Sequence, residues 1–146
     1  MRKCIVTLLL CCSMICVGNV QAFAAEPINT VTNVGTFEIL PQMDYIVQAK
    51  GNLYINSSGV ATVTSSVYGY QGTTTRVEIS AKLQQYNGGK WVTLKTYTAS
   101  SDSHRTSLSE SYKISKGYSY RMQATIKAYS GSKSETQTVT SSEAQY

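Results

Sequence analysis

Catalysis would first be sought at His104, the only histidine, which lies between Asp102 and Arg105 in the run Ser-Ser-Asp-Ser-His-Arg-Thr-Ser. A serine nucleophile needs such an imidazole held against it, with an oxyanion hole alongside. The chain has no Gly-x-Ser-x-Gly elbow, and Ser130-Gly131-Ser132 reads as a turn. His104 is therefore expected to be an exposed loop residue. Glycoside hydrolysis needs two carboxylates facing one bond. The eight acidic residues are scattered, and only Glu78 lies on a well-patterned strand away from loops. Zinc sites are built from Cys and His. All four cysteines (Cys4, Cys11, Cys12, Cys16) fall in the apolar N-terminal run, and elsewhere only the one His is available. No calcium-loop spacing and no Gly-rich phosphate cradle occurs. Asn56-Ser57-Ser58 has the letters of a glycosylation site and reads as a turn. These readings assign no catalytic residue, no metal and no cofactor, and they argue against an enzyme.

Binding chemistry is denser. Val77, Ile79, Ala81 and Leu83 alternate with Glu78, Ser80, Lys82 and Gln84, and Asn87-Gly88-Gly89-Lys90 then signals a tight hairpin. A hairpin closed there pairs Tyr86 with Trp91, Gln84 with Thr93, Lys82 with Lys95 and Ser80 with Tyr97. The apolar set points inward, so these pairs point outward. The strand at 118–129 sets Arg121, Gln123, Thr125, Lys127 and Tyr129 against an apolar face. If it lies beside the strand at 75–86, one outer face gathers Lys82, Gln84, Tyr86, Trp91, Lys95, Tyr97, Arg121, Lys127 and Tyr129. Glu78 is the only acid placed there. Rings can stack on sugar faces, and cations can meet phosphate or carboxylate. The candidate partner is a glycan or anionic polymer of an envelope or matrix, or a protein. The same residues also suit a plain structural role, in which Trp91 and Tyr86 staple the hairpin and lysines guard sheet edges.

The elements that carry these residues have a period of two from Tyr45 onward, rich in Thr, Val, Ser and Tyr. The pattern predicts strands near 45–55, 60–68, 75–86, 91–98, 107–114, 118–129 and 135–142. Seven short strands with a turn every 8–12 residues predict an all-β antiparallel sandwich, with a small β-barrel as the alternative. Residue Glu110 falls on the face of Leu108, Tyr112 and Ile114, which calls for a bulge or an exposed strand end.

In Ile114-Ser-Lys-Gly117-Tyr-Ser-Tyr120, an aliphatic residue, a turn glycine and a tyrosine stand at the spacing seen before the sixth strand of fibronectin type III domains. The pattern resembles that family and its immunoglobulin-like sandwich. Lys116 replaces the usual proline, and the only tryptophan is Trp91. The resemblance implies a buried Tyr120 whose hydroxyl bonds to nearby backbone, and a sixth strand beside the third. With Leu83–Trp91 and Gly117–Arg121, the chain also resembles small exported bacterial proteins, a likeness that brings no activity with it.

The N-terminus reads as an export signal. Arg2 and Lys3 precede an uncharged run from Cys4 to Gly18, followed by Ala22 and Ala24 at small-residue positions. That run is shorter than the roughly 20 residues of a membrane span. Cleavage is expected after Ala24, giving a signal peptide at 1–24, a flexible lead-in or short edge strand at 25–44 and a sandwich domain at 45–146. Loss of Arg2 and Lys3 lowers the formal charge from +5 to +3. Nucleic acid is not expected at so small a charge. The mature chain is cysteine-free, with no transmembrane helix expected. The expectation is a secreted or surface-bound, non-catalytic binding module of open oligomeric state. A structural or self-associating extracellular protein is the alternative, and a small hydrolase or toxin a third reading.

Overall fold

The computed structural model describes residues 43–146 together with the backbone of a two-residue strand at Phe37–Glu38. The expected signal peptide and most of the expected lead-in lie outside the described residues. The elements are β1 (Phe37–Glu38), β2 (Ile46–Ile55), β3 (Val60–Gly69), β4 (Arg76–Asn87) and β5 (Lys90–Ser101). They continue with β6 (Arg105–Lys113), β7 (Ser119–Ser130), β8 (Lys133–Thr140) and β9 (Ala144–Gln145). All ladders are antiparallel. One sheet has the order β1-β2-β3-β6; the other runs β5-β4-β7-β8, with β9 added beside β7. No ladder among the described residues joins the two sheets. The fold is a β-sandwich and not the alternative barrel.

Turn chemistry sets the hairpins. Gly88 and Gly89 both have positive φ (59° and 82°) between the paired Asn87 and Lys90, as a two-residue type I′ turn requires. Between β2 and β3, Asn56 Oδ1 accepts from Ser58 N at 3.1 Å and from Val60 N at 2.9 Å. The asparagine of the sequon thus ties its own turn, as an Asx-type side chain does.

Alternation fills the core. Val77, Ile79, Ala81 and Leu83 of β4 face Leu53, Val63 and Val67 from the other sheet and Met122, Ala124 and Ile126 from β7, all buried. Tyr120 is fully buried, and its hydroxyl donates to Ser115 O at 2.7 Å. Strands β4 and β7 are neighbours, in register over ten pairs from Arg76↔Tyr129 to Gln85↔Tyr120.

Two places depart from simple alternation. β6 has no bulge: it pairs with β3 in unbroken register, and Glu110 is opposite Val63. Nor does Glu110 stand at a strand end: it lies within β6 and stays exposed because β6 is the edge strand of its sheet. On β5 the register shifts, with Gln84 opposite Thr93 but Leu83 opposite Lys95, which leaves Leu94 as the extra residue of a β-bulge. The short strands β1 and β9 extend the seven expected from the pattern.

Candidate functional site

The outer face of the β5-β4-β7-β8 sheet is built in rows that cross the strands. Trp91 is opposite Tyr86; Thr93, Gln84 and Arg121 share the next row; Thr96, Lys82, Gln123 and Thr140 the next. Then come Thr98, Ser80, Thr125 and Thr138, followed by Ser100, Glu78, Lys127 and Thr136. Arg76 and Tyr129 close the far end.

Each end holds an aromatic–cation cluster. At the hairpin end the Tyr86 and Trp91 rings are 5.2 Å apart and tilted by 58°. The Arg121 guanidinium sits 4.3 Å from the Trp91 ring centroid, and its Nε donates to Gln84 Oε1 at 2.8 Å. Gln84 is only 8% exposed although it points away from the core. Its amide reaches Thr93 Oγ1 at 3.5 Å. Arg121 is therefore held by both a π-face and a hydrogen bond, which fixes its position.

At the other end the Tyr129 hydroxyl donates to Glu78 Oε2 at 2.8 Å, and Arg76 forms an ion pair with the other oxygen of Glu78. Arg76 and Lys127 approach the Tyr129 ring at 5.1 and 4.8 Å. Beside this cluster an open groove of about 430 Å³ is lined by Glu78, Ile79, Ser80, Thr98, Ala99, Ser100, Thr125 and Lys127. Its polar lining is four hydroxyls with one carboxylate and one ammonium. Such a surface can exchange several hydrogen bonds with a polyhydroxylated ligand.

Seven of the nine candidates share this face: Lys82, Gln84, Tyr86, Trp91, Arg121, Lys127 and Tyr129. Lys95 and Tyr97 do not, and their expected pairing with Lys82 and Ser80 is overturned. Lys95 lies opposite Leu83, and Tyr97 opposite Ala81, on the core-facing side. The bulge at Leu94 is the cause. It sets Leu94 and the Tyr97 ring against the core, and it removes two lysines from direct opposition. The Tyr97 hydroxyl crosses to the other sheet and donates to Ser111 O at 3.3 Å. Its pKa is pushed above the usual tyrosine value by burial, then by nearby Glu110 and Tyr112.

Three contributors were not among the candidates, and two of them escape a regular reading of the hairpin. Thr98 and Ser100 face outward only because of the bulge. Arg76 was within reach of the sequence, since it continues the outward series of Glu78, Ser80 and Lys82. His104 stands apart from this face, and its backbone carbonyl accepts from Gly69 N at 2.6 Å. Among the described residues no three His, Cys, Asp or Glu side chains gather into a metal-binding group. No known protein family, curated protein or solved structure matches the chain.

Proposed function

We propose that the protein is an extracellular, non-catalytic binding module. It recognises a glycan or anionic polymer of the envelope or matrix through the outer face of the β5-β4-β7-β8 sheet. One observation carries the reading: a hydroxyl-lined groove of about 430 Å³ lies on a sheet face with fixed aromatic–cation clusters at both ends. Arg121 and Arg76 are committed to partners within the sheet. Lys127 in the groove lining and exposed Lys82 supply the charge that a phosphate- or carboxylate-bearing chain would meet. The expected export signal supports a location of this face outside the cell. The strand order and the buried Tyr120 hydroxyl support a fibronectin type III-like reading of the sandwich.

The test is equilibrium binding of purified protein to a panel of neutral, carboxylated and phosphorylated polysaccharides. At least one charged polymer is expected to bind, with affinity falling about tenfold or more in Lys82→Ala/Lys127→Ala, the equivalent of about 1.4 kcal/mol. Trp91→Ala is expected to weaken neutral and charged polymers alike. Binding unchanged by both variants, or no binding across the panel, would overturn the proposal.

A further inference from the structure

Among the described residues, the β6 edge of the β1-β2-β3-β6 sheet carries main-chain groups with no partner. Among the described residues strand β6 pairs with β3 alone, through nine consecutive partners from Tyr68↔Arg105 to Val60↔Lys113. Just beyond its two ends, Gly69 N donates to His104 O at 2.6 Å and Ile114 N donates to Gly59 O at 2.9 Å. In an antiparallel ladder, residues that bond across alternate with residues whose N–H and C=O point away. His104 and Ile114 both bond towards β3, so the even-numbered residues between them do the same. The N–H and C=O groups of Arg105, Ser107, Ser109, Ser111 and Lys113 point out of the sheet.

The structure already caps part of this row. Arg105 N donates to Ser103 Oγ at 3.3 Å, and Ser111 O accepts from the Tyr97 hydroxyl at 3.3 Å. Among the described residues, no group bonds to the outward N–H and C=O of Ser107 and Ser109. These two serines flank Leu108, which is half-buried and packed against the core. Two other edges, those of β5 and β8, are blunted. The β5 edge is interrupted by the bulge and carries Lys90 and Lys95. The β8 edge sends Glu135 to the backbone at the start of β2. Strand β6 has neither bulge, glycine nor proline.

We infer that β6 is the docking edge for a second copy of this chain, the two β6 strands pairing antiparallel about a twofold axis at Leu108. That register sets Ser107 of each copy opposite Ser109 of the other and closes four main-chain hydrogen bonds. Both caps stay in place. Leu108 meets its counterpart at the close, non-hydrogen-bonded spacing. Arg105 faces Ser111 and Glu110 faces Thr106, so no like charges oppose one another. A register centred on Ser109 would set Arg105 against Lys113 and break the Tyr97 cap, and one centred on Ser107 would break the Arg105 N–Ser103 cap. Like charges directly opposite are destabilising. The contact is small, so the association is weak and depends on concentration. It does not depend on the sheet face proposed to bind polymer.

Sedimentation equilibrium on purified protein, with amide hydrogen exchange at low and high concentration, tests the pairing. The weight-average mass is expected to rise towards twice that of the monomer, with slower exchange at Ser107 and Ser109 as it does so. Ser109→Pro removes an outward N–H and leaves the β3 ladder intact, as proline on an edge strand can. It is expected to hold the mass at that of the monomer. If that variant does not fold, exchange in the unaltered protein decides alone. A monomer at every concentration would overturn the inference. So would a dimer that persists in folded Ser109→Pro, or one whose Ser107 and Ser109 amides exchange as fast as in the monomer.

Discussion

Strand β4 has two neighbours, and they hold it differently. Against β7 it keeps one register for ten pairs, and every outward side chain falls where alternation puts it. Against β5 the register slips at Leu94 halfway along. The cause lies in the faces of each strand. Both β4 and β7 oppose an apolar row to a polar one, so a one-residue slip would expose Leu83 or Met122 and bury Lys82 or Arg121. Strand β5 reads Trp-Val-Thr-Leu-Lys-Thr-Tyr-Thr-Ala over 91–99, and either phase buries something apolar. Register is imposed where one face must be hidden and is left to local packing where neither phase costs much.

The largest expected effect tests that contrast directly. Leu83 is completely buried, whereas Leu94 is only partly so. Leu83→Ala is expected to cost about 2–5 kcal/mol, the range for a truncated core leucine. Leu94→Ala is expected to cost about 1 kcal/mol, because less apolar surface leaves water there. Urea unfolding of the two variants measures both. Equal losses would break the comparison and show β5 to be held as strictly as β4.

The outer flanks differ as well. On the β8 side the Glu135 carboxylate accepts from Asp44 N at 2.9 Å, from Tyr45 N at 2.7 Å and from Ile46 N. One side chain thereby fastens β8 to the start of β2 in the opposite sheet. On the β5 side, a tyrosine hydroxyl at 3.3 Å makes the corresponding bond between sheets. Hydrogen bonds to an ionised group contribute about 1.5–3 kcal/mol, and Glu135→Ala is expected to lose about that much. Amide exchange at Tyr45 and Ile46 should accelerate while Tyr112, whose N–H lies in the β3–β6 ladder beside the Ser111 carbonyl, is unaffected. Acceleration at both places would mean that the two flanks open together.

This difference also explains what the sequence made legible. The alternation from Val77 to Leu83 and from Tyr120 to Ala128 set two adjacent strands, their inner and outer faces, and so five of the outward candidates: Lys82, Gln84, Arg121, Lys127 and Tyr129. The Gly-Gly turn added Tyr86 and Trp91. Lys95 and Tyr97 lay beyond the bulge, and no local signal marks it: Leu94 packs inward in either register. What changes is whether Thr96 or Tyr97 follows it into the core, and that depends on the space beside β6. The burial of Gln84 was likewise invisible, since it arises from Trp91 and Arg121 closing over a polar side chain. The triple hold of Glu135 joins residues about 90 positions apart, which no short-range pattern reports.

The smallest expected effect concerns Tyr97, the residue that the bulge moved. Burial, with Glu110 and then Tyr112 adding to it, pushes its hydroxyl above the usual 10. Burial raises Tyr120 as well. A hydroxyl that holds its proton more tightly in the folded chain than in the unfolded one gives stability that is complete below about pH 10. That stability is lost as pH rises through the folded value. Tyr97→Phe keeps the ring against the core and removes only the long bond to Ser111 O. At neutral pH it is expected to cost about 0.5–1 kcal/mol. Above about pH 10 the variant should lose stability less steeply than the unaltered chain, because one of its two shifted tyrosines is gone. Urea midpoints from about pH 8 to about pH 11 provide the measurement. Parallel decline in the two proteins would mean that the Tyr97 hydroxyl titrates as it does in the unfolded chain. The β5 flank would then be held by the ring alone, and the contrast with the Glu135 clasp would be sharper still.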